Sequence, residues 1–221
     1  MRTVRAKICG IKSEEDLKAA IYSGAHAIGF NFYQKSIRFV DPFVANSLNQ
    51  KIPPGMTSIG VFADATSSEI KDVLKFFPEL NYLQLHGQLP DFGVLGSRRW
   101  IAVAGAGKDC SKVFLQNEIS RLCDIKPSPC AIVVDSKIEG LMGGTGVVGP
   151  WDVIKECVIP VPLILAGGLN PENVKTAIRK VQPFMVDTAS GVESSPGAKC
   201  PEKIQRFMKN VIESNLELFA D

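Results

Sequence analysis

Eight short apolar runs recur along the chain, separated by longer stretches in which apolar positions fall three and four apart. The runs are Arg5–Cys9, Ala27–Asn31, Ser58–Phe62, Tyr82–Leu85, Trp100–Val103, Ala131–Asp135, Leu163–Ala166 and Phe184–Asp187. They are rich in Ile, Val, Leu and Ala with little alternation, as expected of parallel strands covered on both faces. The stretches between them carry helix signals. Ser13 stands as an N-cap before Asp16, Leu17, Ala20 and Ile21, and Gly24 stops the pattern. Asp41-Pro42 leads to Val44 and Leu48 with proline in the first turn. Thr66, with Glu69 three residues on, opens Ile70, Val73, Leu74 and Phe77. Asn170-Pro171-Glu172 opens Val174, Ala177 and Ile178, and Ile204, Phe207, Met208, Val211 and Ile212 share one helix face. Lys108–Cys123 is predicted helical and Pro150–Cys157 a compact helix, while Leu89–Leu95 is short for one.

Strand and helix alternate from end to end, which predicts an α/β chain and, with eight strands, a single (β/α)8 TIM barrel. A doubly wound open sheet is the alternative. It would leave two edge strands, and none of the eight runs has the polar or proline-broken look of an edge. The 221 residues sit near the lower size limit of a closed barrel. No linker rich in Gly, Pro or Ser divides them, so residues 1–221 are expected to form one catalytic domain.

Bulk properties narrow the function. Hydrophobic residues make up 45% and charged residues 22%, so the chain is an ordinary globular one that can bury a core without staples. A net charge of +2 gives no electrostatic reason to expect nucleic acid or a membrane surface as partner. There is neither a cleavable leader pattern nor an apolar run of about 18 residues, and the expected location is cytoplasmic. Six cysteines occur, none in a C-x-x-C pair or at zinc-ligand spacing, so reduced thiols and no metal site are expected.

Candidate chemistry lies at the strand ends. Cys9 closes the first run and Asp135 the sixth. In a parallel barrel both ends meet at one mouth, where a thiol and a carboxyl form a candidate base and acid pair. A buried inert cysteine and a strand-end helix cap are the plain alternatives. Glycine-bearing turns follow the seventh and eighth runs, Leu165-Ala166-Gly167-Gly168-Leu169-Asn170 and Asp187-Thr188-Ala189-Ser190-Gly191-Val192-Glu193. These two connections commonly bind phosphate in such barrels, helped by the start of a short extra helix. The expected anchor is the backbone amides of Gly167, Gly168, Ser190 and Gly191, with the Ser190 hydroxyl. The other reading is that Gly-Gly only turns the chain. Gly143-Gly144-Thr145-Gly146 is a third glycine-rich loop, either a flap over substrate or a bare turn.

The same residues carry a family resemblance. Lys7-Ile8-Cys9-Gly10-Ile11, Gly29-Phe30-Asn31-Phe32-Tyr33, Lys35-Ser36-Ile37-Arg38-Phe39-Val40, Gly60-Val61-Phe62, Gln84-Leu85-His86-Gly87, Asp135, Leu165–Leu169 and Asp187–Gly191 appear in order along the chain. In that order they resemble the phosphoribosylanthranilate isomerase family, Amadori-rearrangement enzymes of tryptophan biosynthesis. The resemblance implies conversion of N-(5′-phosphoribosyl)anthranilate to 1-(2-carboxyphenylamino)-1-deoxyribulose 5-phosphate. It implies Cys9 as general base, Asp135 as general acid and Arg38 as the partner of the anthranilate carboxylate. Lys7, on the strand face of Cys9, would favour the thiolate. His86 is either a substrate contact or a structural hydrogen-bond partner. His26 has no assigned role, and Asp64 is read as a helix cap.

The reaction implied is redox-neutral and its iminium serves as electron sink, so no cofactor and no metal are expected. The only expected ligand is the small phosphorylated substrate, and the chain is expected to be a monomer or a homodimer. Gln34 and Ile37 stand where the family usually has proline, Val147 and Val148 where it has a basic and an aromatic residue, and Ala189 where serine is common. Two other readings stay open at this stage. One is another phosphate-binding barrel isomerase, such as the histidine-pathway enzyme with its two aspartates. The other is a phosphate-ligand binding protein without catalysis.

Overall fold

In the computed structural model, which describes residues 3–107, 109–136 and 150–218, eight parallel strands close into one barrel in chain order. They are β1 (Arg5–Cys9), β2 (Ala27–Asn31), β3 (Thr57–Ala63), β4 (Tyr82–His86), β5 (Arg99–Gly105), β6 (Ala131–Asp135), β7 (Leu163–Ala166) and β8 (Met185–Thr188). The barrel closes where β1 pairs with β8, Lys7 opposite Asp187. No barrel strand is left as an edge, so the open doubly wound sheet is excluded. Helices α1 (Glu14–Tyr22), α2 (Pro42–Asn49), α3 (Ser67–Phe76), α4 (Lys112–Asp124), α5 (Trp151–Lys155), α6 (Val174–Val181) and α7 (Pro201–Leu218) alternate with the strands.

Burial on both strand faces explains the continuous apolar runs. Ile8, Ile28, Leu83, Ile132 and Val186 point outward into a layer shared with the helices, which also holds Phe30, Phe77, Trp100, Trp151 and Phe207. Ala27, Ile59, Ile101, Val133, Ile164 and Met185 form a smaller cluster inside the cylinder. Each large side chain fully withdrawn from water contributes about 1.5–3 kcal/mol, so the outer layer supplies most of the cohesion.

The helix starts follow local chemistry. Thr66 and Glu69 make a reciprocal capping box at α3, Ser13 accepts the Asp16 amide at α1, and Asp41 accepts the Phe43 and Val44 amides at α2. Asn170 accepts the amides of Glu172 and Asn173 in the turn ahead of α6, which itself begins only at Val174. Asp64 is not a helix cap. Its backbone is left-handed and its carboxylate accepts the Gln88 amide at 2.8 Å, holding the turn after β4.

Other departures are local. The fourth connection holds a 3-10 turn, Phe92–Leu95, and no α-helix. β3 and β5 run past their apolar cores, because backbone pairing such as Ala63 with His86 needs no side-chain burial. An unforeseen hairpin, β9 (Glu193–Ser195) and β10 (Ala198–Lys199), follows the barrel. On α7, the Asn215 side chain accepts the Val4 amide at 2.8 Å and donates to the Val4 carbonyl at 2.9 Å. The Gly143–Gly146 loop, Val147 and Val148 lie outside the described residues.

Candidate active site

Parallel strands all end on one rim, and here the last residues are Cys9, Asn31, Ala63, His86, Gly105, Asp135, Ala166 and Thr188. Cys9 and Asp135 therefore share that rim, with β8 and β7 between their strands. Both are half-buried. The pairing of β1 with β2 sets Cys9 beside Gly29, where an added Cβ would stand 2.7 Å from the Cys9 sulfur and 3.0 Å from Lys7 Cε. Only glycine leaves room there for the thiol and the lysine together.

Lys7 is fully buried in the centre of the cylinder. Its Nζ donates to Asp187 Oδ2 at 2.7 Å and reaches across the barrel to Gln84 Oε1 at 3.1 Å. Burial alone would lower its pKa, but Asp187 and Cys9 outweigh burial and raise it. A buried charge persists only when paired in this way. Burial pushes the Asp187 carboxyl up, while Lys7 and Lys199 pull it back. Burial likewise pushes the Cys9 thiol up, and the nearby charge of Lys7 works in the opposite direction with help from Lys199. The charge of Lys7 thus acts on the thiol toward the thiolate, and desolvation prevails over it.

His86 Nε2 lies 2.8 Å from Gln84 Nε2, and burial lowers its pKa, favouring the neutral imidazole. His26 accepts the Ala6 amide through Nδ1 at 3.1 Å, a tie between β1 and the segment before β2.

The two glycine turns lie against each other. Gly167 and Gly168 take positive φ of 93° and 65°, a region costly for other residues. A Cβ on Gly191 would stand 1.9 Å from the Leu169 carbonyl oxygen, so the β8 turn packs backbone to backbone on the β7 turn. Thr188 Oγ1 donates to the same Leu169 carbonyl at 2.7 Å. Gly167, Gly168, Ser190 and Gly191 are thereby gathered on one side of the rim. Ser190–Val192 forms a short 3-10 turn, the extra helical element expected there.

Arg38 is anchored in a way the sequence reading missed. Its Nε and Nη2 each donate to a Glu193 carboxylate oxygen at 2.7 Å. Glu193 lies six residues beyond Asp187, in the stretch already singled out for its glycine, yet one acidic residue among 23 gave no signal of its own. Gln84 and Asp187 were also missed as partners of Lys7, although each sits at a strand position whose side chain must face inward.

Residues 6–210 match the family model described as N-(5'phosphoribosyl)anthranilate (PRA) isomerase. The N-(5'-phosphoribosyl)anthranilate isomerase of Pseudomonas fluorescens (strain Pf0-1) is 41% identical over 211 residues, spanning 96% of this chain and 100% of that protein. The crystal structure of phosphoribosyl anthranilate isomerase from Thermotoga maritima is similar with a TM-score of 0.81 and 35% identity, covering 96% of this chain and 100% of that one. Another phosphoribosyl anthranilate isomerase structure, in complex with reduced 1-(o-carboxyphenylamino)-1-deoxyribulose 5-phosphate, gives a TM-score of 0.76 at 32% identity over 96% of this chain and 100% of its own.

Proposed function

Because this chain belongs to the N-(5'-phosphoribosyl)anthranilate isomerase family, we propose that its rim carries out the Amadori rearrangement of tryptophan biosynthesis with Asp135 as acid and Cys9 as base. The chain is an isomerase on a (β/α)8 barrel. Asp135 gives its proton to the furanose ring oxygen, the bond from that oxygen to C1′ breaks, and the anilino nitrogen becomes an iminium. The Cys9 thiolate removes the proton from C2′, and those electrons neutralise the iminium to give an enolamine. Tautomerisation moves a proton to C1′ and leaves the C2′ ketone. No electrons are gained or lost overall.

The observation that carries this reading is the common rim of β1 and β6, which end in Cys9 and Asp135. Lys7 supports Cys9 as base, since an ammonium beside the sulfur lowers the cost of the thiolate. In this reading the anthranilate carboxylate pairs with Arg38 and the phosphate binds the amides of Gly167, Gly168, Ser190 and Gly191. His86 meets the substrate at the rim while keeping its bond to Gln84. The chain acts as one catalytic domain in the cytoplasm, as a monomer or homodimer, with the small phosphorylated substrate as its ligand. Among the described residues, no helix is long and apolar enough to cross a membrane.

Steady-state kinetics by anthranilate fluorescence test the roles. Cys9→Ala and Asp135→Asn should each lower kcat by about 10² or more, with little change in substrate affinity. Either variant within a few-fold of the parent would remove that residue from proton transfer. Binding of substrate by the parent without product formation would refute catalysis itself.

A further inference from the structure

Glu193 puts a negative charge on the side of the rim assigned to two anionic groups of the substrate. An acidic residue there opposes binding unless its charge is already spent. Its carboxylate is almost fully buried and accepts four donors: Arg38 Nε and Nη2, Lys199 Nζ at 2.8 Å and the Gly197 amide at 3.1 Å. Two cations against one carboxylate leave a net positive charge. A guanidinium has five N–H groups in a planar fork. Glu193 occupies the side-on edge, Nε with Nη2, which leaves the end-on edge, Nη1 with the second N–H of Nη2, aligned for another planar carboxylate.

The rest of Arg38 is held as well. Its Cδ lies where a Cβ on Gly10 would be only 2.9 Å away, so its stem rests on the backbone just beyond Cys9. The clasp also extends to the other anchor: Lys199 Nζ donates to the Ala189 carbonyl at 3.0 Å, next to Ser190.

We propose that Glu193 is a positioning residue that aims the end-on edge of Arg38 at the substrate carboxylate and, through Lys199, fixes the spacing between Arg38 and the Ser190–Gly191 turn. The inference rests on the reading of Arg38 as carboxylate anchor. Arginine has many rotamers to lose on binding, and a residue that removes them beforehand strengthens affinity without touching substrate.

A double-mutant cycle tests it, with Arg38→Ala, Glu193→Gln and the two combined. Glu193→Gln should raise KM about tenfold and leave kcat within about threefold, the pattern of lost uniform binding. In the Arg38→Ala background it should add less than about twofold, because partners acting as one unit are not additive. Full additivity, or a Glu193→Gln KM within about twofold of the parent while Arg38→Ala raises it, would overturn the inference alone. An unchanged KM in Arg38→Ala would overturn the anchor reading and the inference with it. Should Glu193→Gln fail to fold, Glu193→Gln/Lys199→Met leaves no lysine without its counterion and carries the same predictions.

Discussion

Removing the Glu193 charge also has a consequence for stability, separable from binding by its dependence on pH. Burial pushes this carboxyl up, but the bonds from Arg38, Lys199 and the Gly197 amide prevail and hold it at about 2. An unfolded glutamate titrates near about 4.3. A folded value below the unfolded one means stability that is present above about pH 4.3 and is lost as pH falls through the folded value. At about 1.36 kcal/mol per pH unit, the gap amounts to about 3 kcal/mol at neutrality, and about half of it is gone by about pH 3. Urea unfolding of the parent and Glu193→Gln would be followed from about pH 7 to about pH 3. Leaving Arg38 and Lys199 without their counter-charge costs Glu193→Gln a further amount independent of pH, so the change in the difference is the measure. The parent's advantage should shrink by about 1.5 kcal/mol over this range. The exposed Glu14, held at about 2 by Lys51 and Lys18, is common to both proteins and cancels. A difference constant to within about 0.5 kcal/mol would refute the electrostatic account of this cluster.

Three further outcomes are expected. With Cys9 raised by burial, kcat/KM should climb with pH and level off only above about 8.5, the ordinary thiol value, because the base is the deprotonated form; a pH–rate profile flat from about 6 to 9 would contradict a titrating thiol. Gly29→Ala, whose Cβ would meet the Cys9 sulfur at 2.7 Å and Lys7 Cε at 3.0 Å, should displace the thiol and lower kcat by about tenfold or more. An unchanged kcat would show that the thiol has slack. Gly191→Ala, whose Cβ would sit 1.9 Å from the Leu169 oxygen, should cost about 1–3 kcal/mol in thermal unfolding and raise KM. A KM equal to the parent's would detach this turn from phosphate binding.

Much of the fold was legible because its determinants are local. Eight doubly buried strands announce themselves as apolar runs, and Ser13, Asp41 and Thr66 signal helix starts through side chains that reach only a few residues. What escaped was non-local. Glu193 clasps Arg38 from 155 positions away, and Lys7 finds Gln84 and Asp187 only after the cylinder closes. Asp64 departs from the helix-cap expectation for the same reason: the amide it binds, Gln88, belongs to the next turn rather than to the nearby helix. At the site, the strand-end rule was enough to bring Cys9 and Asp135 to one rim. The glycine turns were recognised by composition, yet the need for Gly191 lies in the distant Leu169 carbonyl.

The seam between β1 and β8, fastened from outside by Asn215 on Val4, carries a consequence for biosynthesis. The strand ending in Cys9 leaves the ribosome more than a hundred residues ahead of its partner and its fastener. A nascent chain must therefore keep an apolar strand waiting with one flank uncovered, and truncations within α7 would strike the thiol-bearing strand first.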